Sequence, residues 1–131
     1  MSRVTVILAL FAGVGLGAVA AQRLHAKVKT PFYMVTEIDV RDPEAFRKDY
    51  APKAVDSIKK AGGRFVVIGG PDPGSRDVIS FTGTPPRRVT ILVWDSIDAM
   101  FKWSRSPEFQ DARRIGERHA SFRQYAVEAY E

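Results

Sequence analysis

Two polar side chains stand where the sequence pattern otherwise places apolar residues, and both could act on a ligand. Tyr50 falls on the apolar stripe of a predicted helix. Its hydroxyl could stabilise a ligand oxyanion, or it could be satisfied in the core by a backbone carbonyl. Glu37 interrupts an otherwise apolar predicted strand. It could serve as a general base if burial desolvates it, and a solvated or dimer-edge glutamate is the ordinary alternative.

Cationic and aromatic side chains supply further candidates. Arg88 begins a predicted strand and could bind a carboxylate with two parallel hydrogen bonds, although a surface ion pair is the common role of such an arginine. His119 ends a predicted helix that also carries Arg114; it could shuttle a proton, or its charge could simply suit the helix dipole. Trp103 could stack on an aromatic ligand or pack in the core. The predicted ligand-binding residues are Tyr50, Arg88, Arg114, His119, Glu37 and Trp103.

No known catalytic motif accompanies these residues. The sequence contains no HExxH, no GxSxG and no phosphate-binding glycine loop after a predicted strand. With two histidines, no cysteine and no carboxylate cluster, it predicts no metal site and no cofactor. Two functions therefore stay open. One is a non-enzymatic protein that binds a small molecule or has a structural role, and the other is a cofactor-independent enzyme acting on a small aromatic or carbonyl compound.

The positive charge of the chain is concentrated at its N-terminus. Its 131 residues include 20 Lys and Arg against 15 Asp and Glu. The bases Arg3, Arg23, Lys27 and Lys29 precede the first acidic residue, so the remainder is nearly neutral. A nucleic-acid-binding protein concentrates Lys and Arg on one face to neutralise phosphates. No nucleic-acid partner is therefore expected.

The N-terminal segment predicts export. After a short positive start, residues 4–21 are uncharged, and Ala18 and Ala20 are small enough for a signal peptidase pocket. We expect a signal peptide over residues 1–20, removed after Ala20 or, less favourably, after Ala26. A linker over residues 21–31 and one folded domain over residues 32–130 should follow. An uncleaved leader acting as a membrane anchor is the alternative, which its internal glycines disfavour. The mature protein should be periplasmic or secreted.

Hydrophobic periodicity predicts alternating strands and helices. Residues 32–40 follow the pattern of a half-buried strand, and a helix covers residues 42–61. Pro52 should bend or split this helix near Tyr50, because proline interrupts helical hydrogen bonds. Residues 78–82 form either a short strand or one arm of an irregular hairpin. The remaining predicted elements are strands over residues 64–68, 87–94 and 121–130 and two helices that begin near Ser96 and Ser106.

This order predicts a ferredoxin-like α+β fold, βαββαβ, with one antiparallel sheet and its helices on a single face. The strands are apolar on both faces: Tyr33 and Tyr125, for example, stand on the side that the helices leave open. So much apolar surface does not suit contact with water. We therefore expect a symmetric homodimer in which two sheets pack face to face.

Several segments, taken in order and spacing, resemble a known family. They are residues 33–40 leading into Asp42-Pro43-Glu44-Ala45-Phe46, Tyr50 with Pro52, Ala61-Gly62-Gly63-Arg64-Phe65, Pro86-Arg87-Arg88, Trp94-Asp95-Ser96, Trp103, and Ser106-Pro107-Glu108-Phe109. Over about residues 32–129 the chain resembles the bacterial domain-of-unknown-function family DUF1330. The resemblance implies a dimeric α/β barrel, often exported, with no established activity, cofactor or substrate. Related dimeric α/β barrels include cofactor-poor monooxygenases and isomerases, so the resemblance keeps an enzyme possible.

A functional pocket, if present, should lie between the helix over residues 42–61 and the sheet. Tyr50 would enter it from the helix and Arg88 from a strand. Arg114 and His119 would lie at its mouth. The chain departs from the family in its long, proline-rich loop over residues 69–83, which leaves the pairing of residues 76–82 open.

Overall fold

In the computed structural model, residues 29–130 are described, so the predicted signal peptide and most of the predicted linker lie outside the described residues. After the first strand a short helix leads through a π-helical turn into a longer helix, and two further helices follow the third strand. The strands are β1 (Phe32–Val40), β2 (Arg64–Gly69), β3 (Arg88–Trp94) and β4 (Ala120–Glu128). The helices are α1 (Pro43–Ala45), the π turn (Phe46–Tyr50), α2 (Ala51–Lys60), α3 (Ile97–Ser104) and α4 (Pro107–Glu117).

The four strands form one antiparallel sheet in the order β2-β3-β1-β4. Each helical connection carries the chain past a neighbouring strand, so β1 and β3 occupy the centre. The predicted ferredoxin-like α+β fold is thereby confirmed. No helix among residues 29–130 is long and apolar enough to cross a bilayer.

The loop between β2 and β3 contains no strand over residues 78–82. Its pairing is limited to an isolated bridge between Gly69 and Arg76. Prolines at both ends of the loop, at Pro71 and Pro73 and again at Pro85 and Pro86, lack the amide donor that a ladder needs. The hairpin alternative therefore gives way to an irregular loop.

Pro52 produces a π turn rather than a break. The helix starts regularly, because the Asp42 side chain accepts a hydrogen bond from the Ala45 amide and Pro43 occupies the first turn. Pro52 has no amide to donate to the carbonyl four residues before it, and the turn over Phe46–Tyr50 is widened instead, with the Ala51 amide donating to the Phe46 carbonyl. The predicted disturbance near Tyr50 is therefore one wide turn inside a continuous helical segment.

The helices cover one face of the sheet and leave the other without cover. On the covered face two clusters of buried side chains form, one around Trp94 and Trp103 and the other around Phe46 and Tyr50. The uncovered side, here called the open face, carries Tyr33, Val35, Val89, Ile91, Val93, Tyr125 and Val127. Tyr125 is 48% exposed and Val127 is 60% exposed. Both faces are thus largely apolar, as the sequence predicts.

Candidate functional site

A cavity of about 450 Å³ lies between the helical segment and the covered face of the sheet. Its walls are mostly apolar. The π turn and α2 contribute Phe46, Ala54 and Ile58, and the sheet contributes Met34 and Leu92. The loop after β2 contributes the residues at one end. Cavities of this size and character suit small organic ligands.

A row of polar side chains crosses the floor of this apolar cavity. Thr36 in β1 is paired with Thr90 in β3 on one side and with Gln124 in β4 on the other, and all three line the cavity. The Gln124 amide Nε2 donates to Thr36 Oγ1 at 3.0 Å, and Arg113 Nη1 donates to Gln124 Oε1 at 2.6 Å. Thr36 Oγ1 accepts this bond and donates to no acceptor within residues 29–130, so its own proton can be donated to a ligand oxygen.

Tyr50 lines the cavity beside this row. Its ring lies between the rings of Phe46 and Phe122, with centroid separations of 5.0 Å and 5.2 Å. No hydrogen bond to the Tyr50 hydroxyl is formed within residues 29–130. Burial raises the pKa of Tyr50 to about 12, and the positive charge of Arg113 lowers it in part. At neutral pH the hydroxyl is therefore a neutral hydrogen-bond donor.

A charged cluster closes the loop end of the cavity. Arg88 donates from Nε to Asp72 Oδ2 at 2.6 Å and from Nη2 to Asp72 Oδ1 at 3.1 Å, and its guanidinium lies 5.6 Å from the centre of the Phe46 ring. Arg47 approaches the same carboxylate at 3.7 Å. The hydrogen bonds from Arg88 hold the pKa of Asp72 below its usual range. Asp72 is consequently a poor proton acceptor at neutral pH.

Trp103 forms part of the wall. Its Nε1 donates to Ser57 Oγ at 3.1 Å, and Ser57 in turn donates to the Ala54 carbonyl at 2.8 Å. The ring also packs against Phe109, with centroids 3.9 Å apart. Trp103 can therefore offer a ligand apolar contact, while its polar atom is engaged within the protein.

The other three predicted residues lie away from the cavity. Glu37 stands on the open face, where both its oxygens accept from Arg123 at 2.7 Å. Arg114 is exposed and pairs with Asp111. His119 follows α4, and its carbonyl accepts from the Arg41 amide at 2.8 Å.

The predicted position of Arg114 and His119 at the cavity mouth is wrong. The buried side of α4 is formed by Phe109, Ala112 and Gly116, which turns Arg114 toward solvent. Of the six predicted residues, the structure brings Tyr50, Arg88 and Trp103 together on one cavity. Whether any of them binds a ligand stays a prediction.

Six polar lining residues were not among the candidates: Thr36, Thr90, Gln124, Arg47, Asp72 and Ser75. The sequence did indicate Thr36, because the alternating pattern of residues 32–40 places it on the same strand face as Met34 and Ile38. A polar side chain at a core-facing position needs a partner, which makes it worth noting. Asp72 gives no such signal, because only the path of the loop brings it to Arg88.

The site offers hydrogen-bond donors in an apolar space. Threonine hydroxyls, the Tyr50 phenol and the Arg88 guanidinium can all donate to a carbonyl or carboxylate oxygen. Within residues 29–130 no group of His, Asp and Glu is placed to hold a metal ion. The arrangement suits recognition of a largely apolar molecule through an oxygen atom.

Comparisons with known proteins agree on the fold. Residues 31–130 match the family described as Domain of unknown function (DUF1330), and no curated protein matches the chain. A protein of unknown function from Rhodopseudomonas palustris is similar in structure, with 18% identity, 87% of this chain and 93% of that chain covered, and a TM-score of 0.60.

Two further solved structures have the same fold. SnoaB, a cofactor-independent oxygenase from Streptomyces nogalater, is 17% identical, with 78% of this chain and 95% of that chain covered and a TM-score of 0.57. A dimeric protein of unknown function and ferredoxin-like fold from Bacteroides fragilis is 14% identical, with 76% and 96% covered and a TM-score of 0.51. At such identities the likeness extends to the fold and no further.

Proposed function

We propose that this chain, which belongs to the DUF1330 family, binds a small, mainly apolar molecule that carries an oxygen acceptor. The observation that supports the proposal is the polar row of Thr90, Thr36 and Gln124 on the floor of an otherwise apolar cavity of about 450 Å³. The apolar walls supply affinity by burial, and the row together with Tyr50 supplies orientation.

Ligand-induced thermal shifts test this proposal. A panel of small ketones, phenols, alcohols and carboxylic acids is screened against the protein and against Ala54→Leu, which fills part of the cavity. Ala61→Leu, on the exposed end of α2, is the matched control. A ligand at about 100 times its Kd should stabilise the protein and the control by about 2.7 kcal/mol and Ala54→Leu much less. If no compound stabilises the protein more than it stabilises Ala54→Leu, the cavity is not a binding site.

We also propose that two copies form a homodimer through their open faces. An apolar sheet face of this kind needs a cover. Among the residues described, the ion pairs on this side of the sheet are Glu37 with Arg123 and, at its edge, Arg64 with Asp95. The dimeric state of the Bacteroides fragilis neighbour supports the proposal. The cavity lies on the other side of the sheet, so dimerisation would leave its entrance free.

A cofactor-independent enzyme is the second candidate. What favours it is that Tyr50 and Arg88 line one cavity, where a neutral phenol and a guanidinium could stabilise negative charge on a substrate oxygen. Proton abstraction is disfavoured, because Asp72, the carboxylate among the lining residues, has a pKa that is lowered by Arg88. Incubation of ligands from the screen with the protein in air, followed by mass spectrometry and chromatography, distinguishes the two functions. If the protein is an enzyme, a new product should form, and Tyr50→Phe should form it at least about tenfold more slowly.

Finally, we propose that the protein is exported. The support is the sequence of residues 1–20, which lie outside the described residues. Intact-mass analysis of protein from a bacterial host should show cleavage after Ala20 or Ala26 and recovery from the periplasm or medium. Full-length mass in the membrane fraction would mean that the leader is an anchor.

A further inference from the structure

The charged groups that line the cavity do not balance. Arg47, Asp72 and Arg88 are its charged lining residues among those described, which gives two guanidinium groups and one carboxylate. Nearby Arg113 does not alter this excess, because its Nε is paired with Glu117 Oε1 at 2.9 Å. The loop end of the cavity therefore carries one uncompensated positive charge.

Arg88 also has hydrogen-bonding capacity that the protein leaves unused. Its side chain is only 7% exposed, yet the bonds to Asp72 engage Nε and Nη2 alone. Nη1 has no acceptor within residues 29–130, and Arg88 lines the cavity. Nη1 is not a fully enclosed atom, since Trp94 Nε1 is the buried side-chain nitrogen that lacks a partner among the described residues. An oxygen atom placed in the cavity opposite Nη1 would therefore be within reach of it and would gain a charge-assisted hydrogen bond.

Arg47 lies at the rim and is free to turn toward the same point. Its side chain is 52% exposed, and its contact with Asp72 at 3.7 Å is too long for a hydrogen bond. Asp72 is already occupied by two bonds from Arg88. A ligand carboxylate between Arg47 and Arg88 would balance the charge, because two carboxylates would then face two guanidinium groups.

We propose that the ligand of the cavity is a small apolar monocarboxylate whose carboxylate is held by Arg47 and Arg88 at the loop end. Its hydrocarbon part extends along the apolar wall formed by residues such as Phe46, Ile58 and Leu92. This inference rests on the proposed function, since it names the chemical class of the molecule that the cavity binds. It goes further in assigning the carboxylate to a particular pair of arginines.

The test compares ligands of the same chain length whose head groups differ in charge. Octanoate and octanamide have the same chain length, and octylamine carries the opposite charge. Calorimetric titration of the full chain, in the form that a bacterial host yields, should give a Kd for octanoate about tenfold or more below that for octanamide, since hydrogen bonds between ionised groups are the stronger ones. Octylamine should bind more weakly than octanamide.

Two variants test whether the charge preference arises from Arg47, Arg88 and Asp72. Arg47→Gln should reduce the ratio of the octanamide Kd to the octanoate Kd by about threefold or more, as expected for a half-exposed charge. The paired variant Arg88→Gln with Asp72→Asn removes two opposite charges together, so no lone buried charge remains, and it should reduce the same ratio. Lys53→Gln, an exposed residue of α2 that does not line the cavity, changes the net charge as Arg47→Gln does and should leave the ratio unchanged.

The outcomes separate this inference from the function on which it rests. If octanamide binds as tightly as octanoate, or if Arg47→Gln and Lys53→Gln have equal effects, the carboxylate assignment is wrong while the cavity remains a binding site. If neither compound binds and the wider panel also produces no shift, the proposed function fails as well. Tight binding of octylamine would overturn the charge argument directly.

Discussion

Tyr50 is the residue at which a structural and a ligand-binding role can be separated. Because its hydroxyl has no hydrogen-bond partner within residues 29–130, Tyr50→Phe removes no internal hydrogen bond. The free energy of unfolding should change by less than about 0.5 kcal/mol, while affinity for an oxygen-bearing cavity ligand should fall about fivefold to tenfold. Urea unfolding and calorimetric titration measure the two quantities. A loss of about 1 kcal/mol of stability with unchanged affinity would show that the hydroxyl is structural.

The raised pKa of Tyr50 predicts a loss of stability at alkaline pH. Its folded pKa of about 12 lies above the ordinary value of about 10. The folded state therefore disfavours the phenolate, so the associated stability is complete below pH 10 and is lost as pH rises toward 12. The loss should amount to about 2 kcal/mol and should be missing from Tyr50→Phe. The free energies of unfolding of both proteins are measured at pH 9 and pH 11.5. If the difference between the two proteins is the same at both pH values, Tyr50 is not responsible for the loss.

Helix α4 approaches the π turn closely at one position. A Cβ atom placed on Gly116 would lie 2.6 Å from Cδ2 of Tyr50, which is well inside van der Waals contact. Gly116→Ala should push the Tyr50 ring aside and lower the free energy of unfolding by about 1–3 kcal/mol. It should also weaken ligand binding, because the ring lines the cavity.

Arg118→Ala at the exposed end of the same helix provides the control for Gly116→Ala. It should change stability by about 0.5 kcal/mol at most. If Gly116→Ala is as mild as this control, the helix and the π turn are not in tight contact.

The secondary structure elements show which features the sequence could predict. Alternation in residues 32–40 and the proline signatures at Pro43 and Pro107 sufficed for β1 and for the starts of two helical segments, because these signals are local. The presence of Pro52 alone was not enough to predict the π turn. A proline can bend, break or widen a helix, and the choice depends on how Phe46 and Tyr50 pack against the sheet.

The candidate site was less accessible to sequence reasoning than the fold. Tyr50 was found because it is a polar residue on an apolar helical stripe, and Arg88 because a guanidinium at the start of a strand could bind a carboxylate. Asp72 was not found, since a loop residue acquires its partner only through the tertiary path of the loop. Arg114 was placed wrongly because a helix that covers a sheet can be rotated about its axis, and the sequence of its exposed side does not fix that rotation.

For the whole molecule, the open face predicts the oligomeric state. The unmodified protein should be a dimer at micromolar concentration, because Tyr125 and Val127 leave a large apolar surface exposed in one copy. Tyr125→Asp would place a carboxylate in the buried interface and should give monomers or aggregates. Lys53→Asp, on the helical side, is the control and should remain dimeric. Light scattering measures the oligomeric state of each protein. A well-folded monomer of the unmodified protein would contradict the face-to-face dimer.

The two tryptophans of the chain give the protein an optical signal of its own. Trp94 is fully buried, Trp103 lines the cavity, and their ring centres are 5.1 Å apart. At such a separation the excited states of the two indoles interact, so emission from either one reports on the surroundings of Trp103. A colourless ligand that enters the cavity would change the fluorescence spectrum without any dye or label. Occupancy could thus be followed in real time in a purified sample.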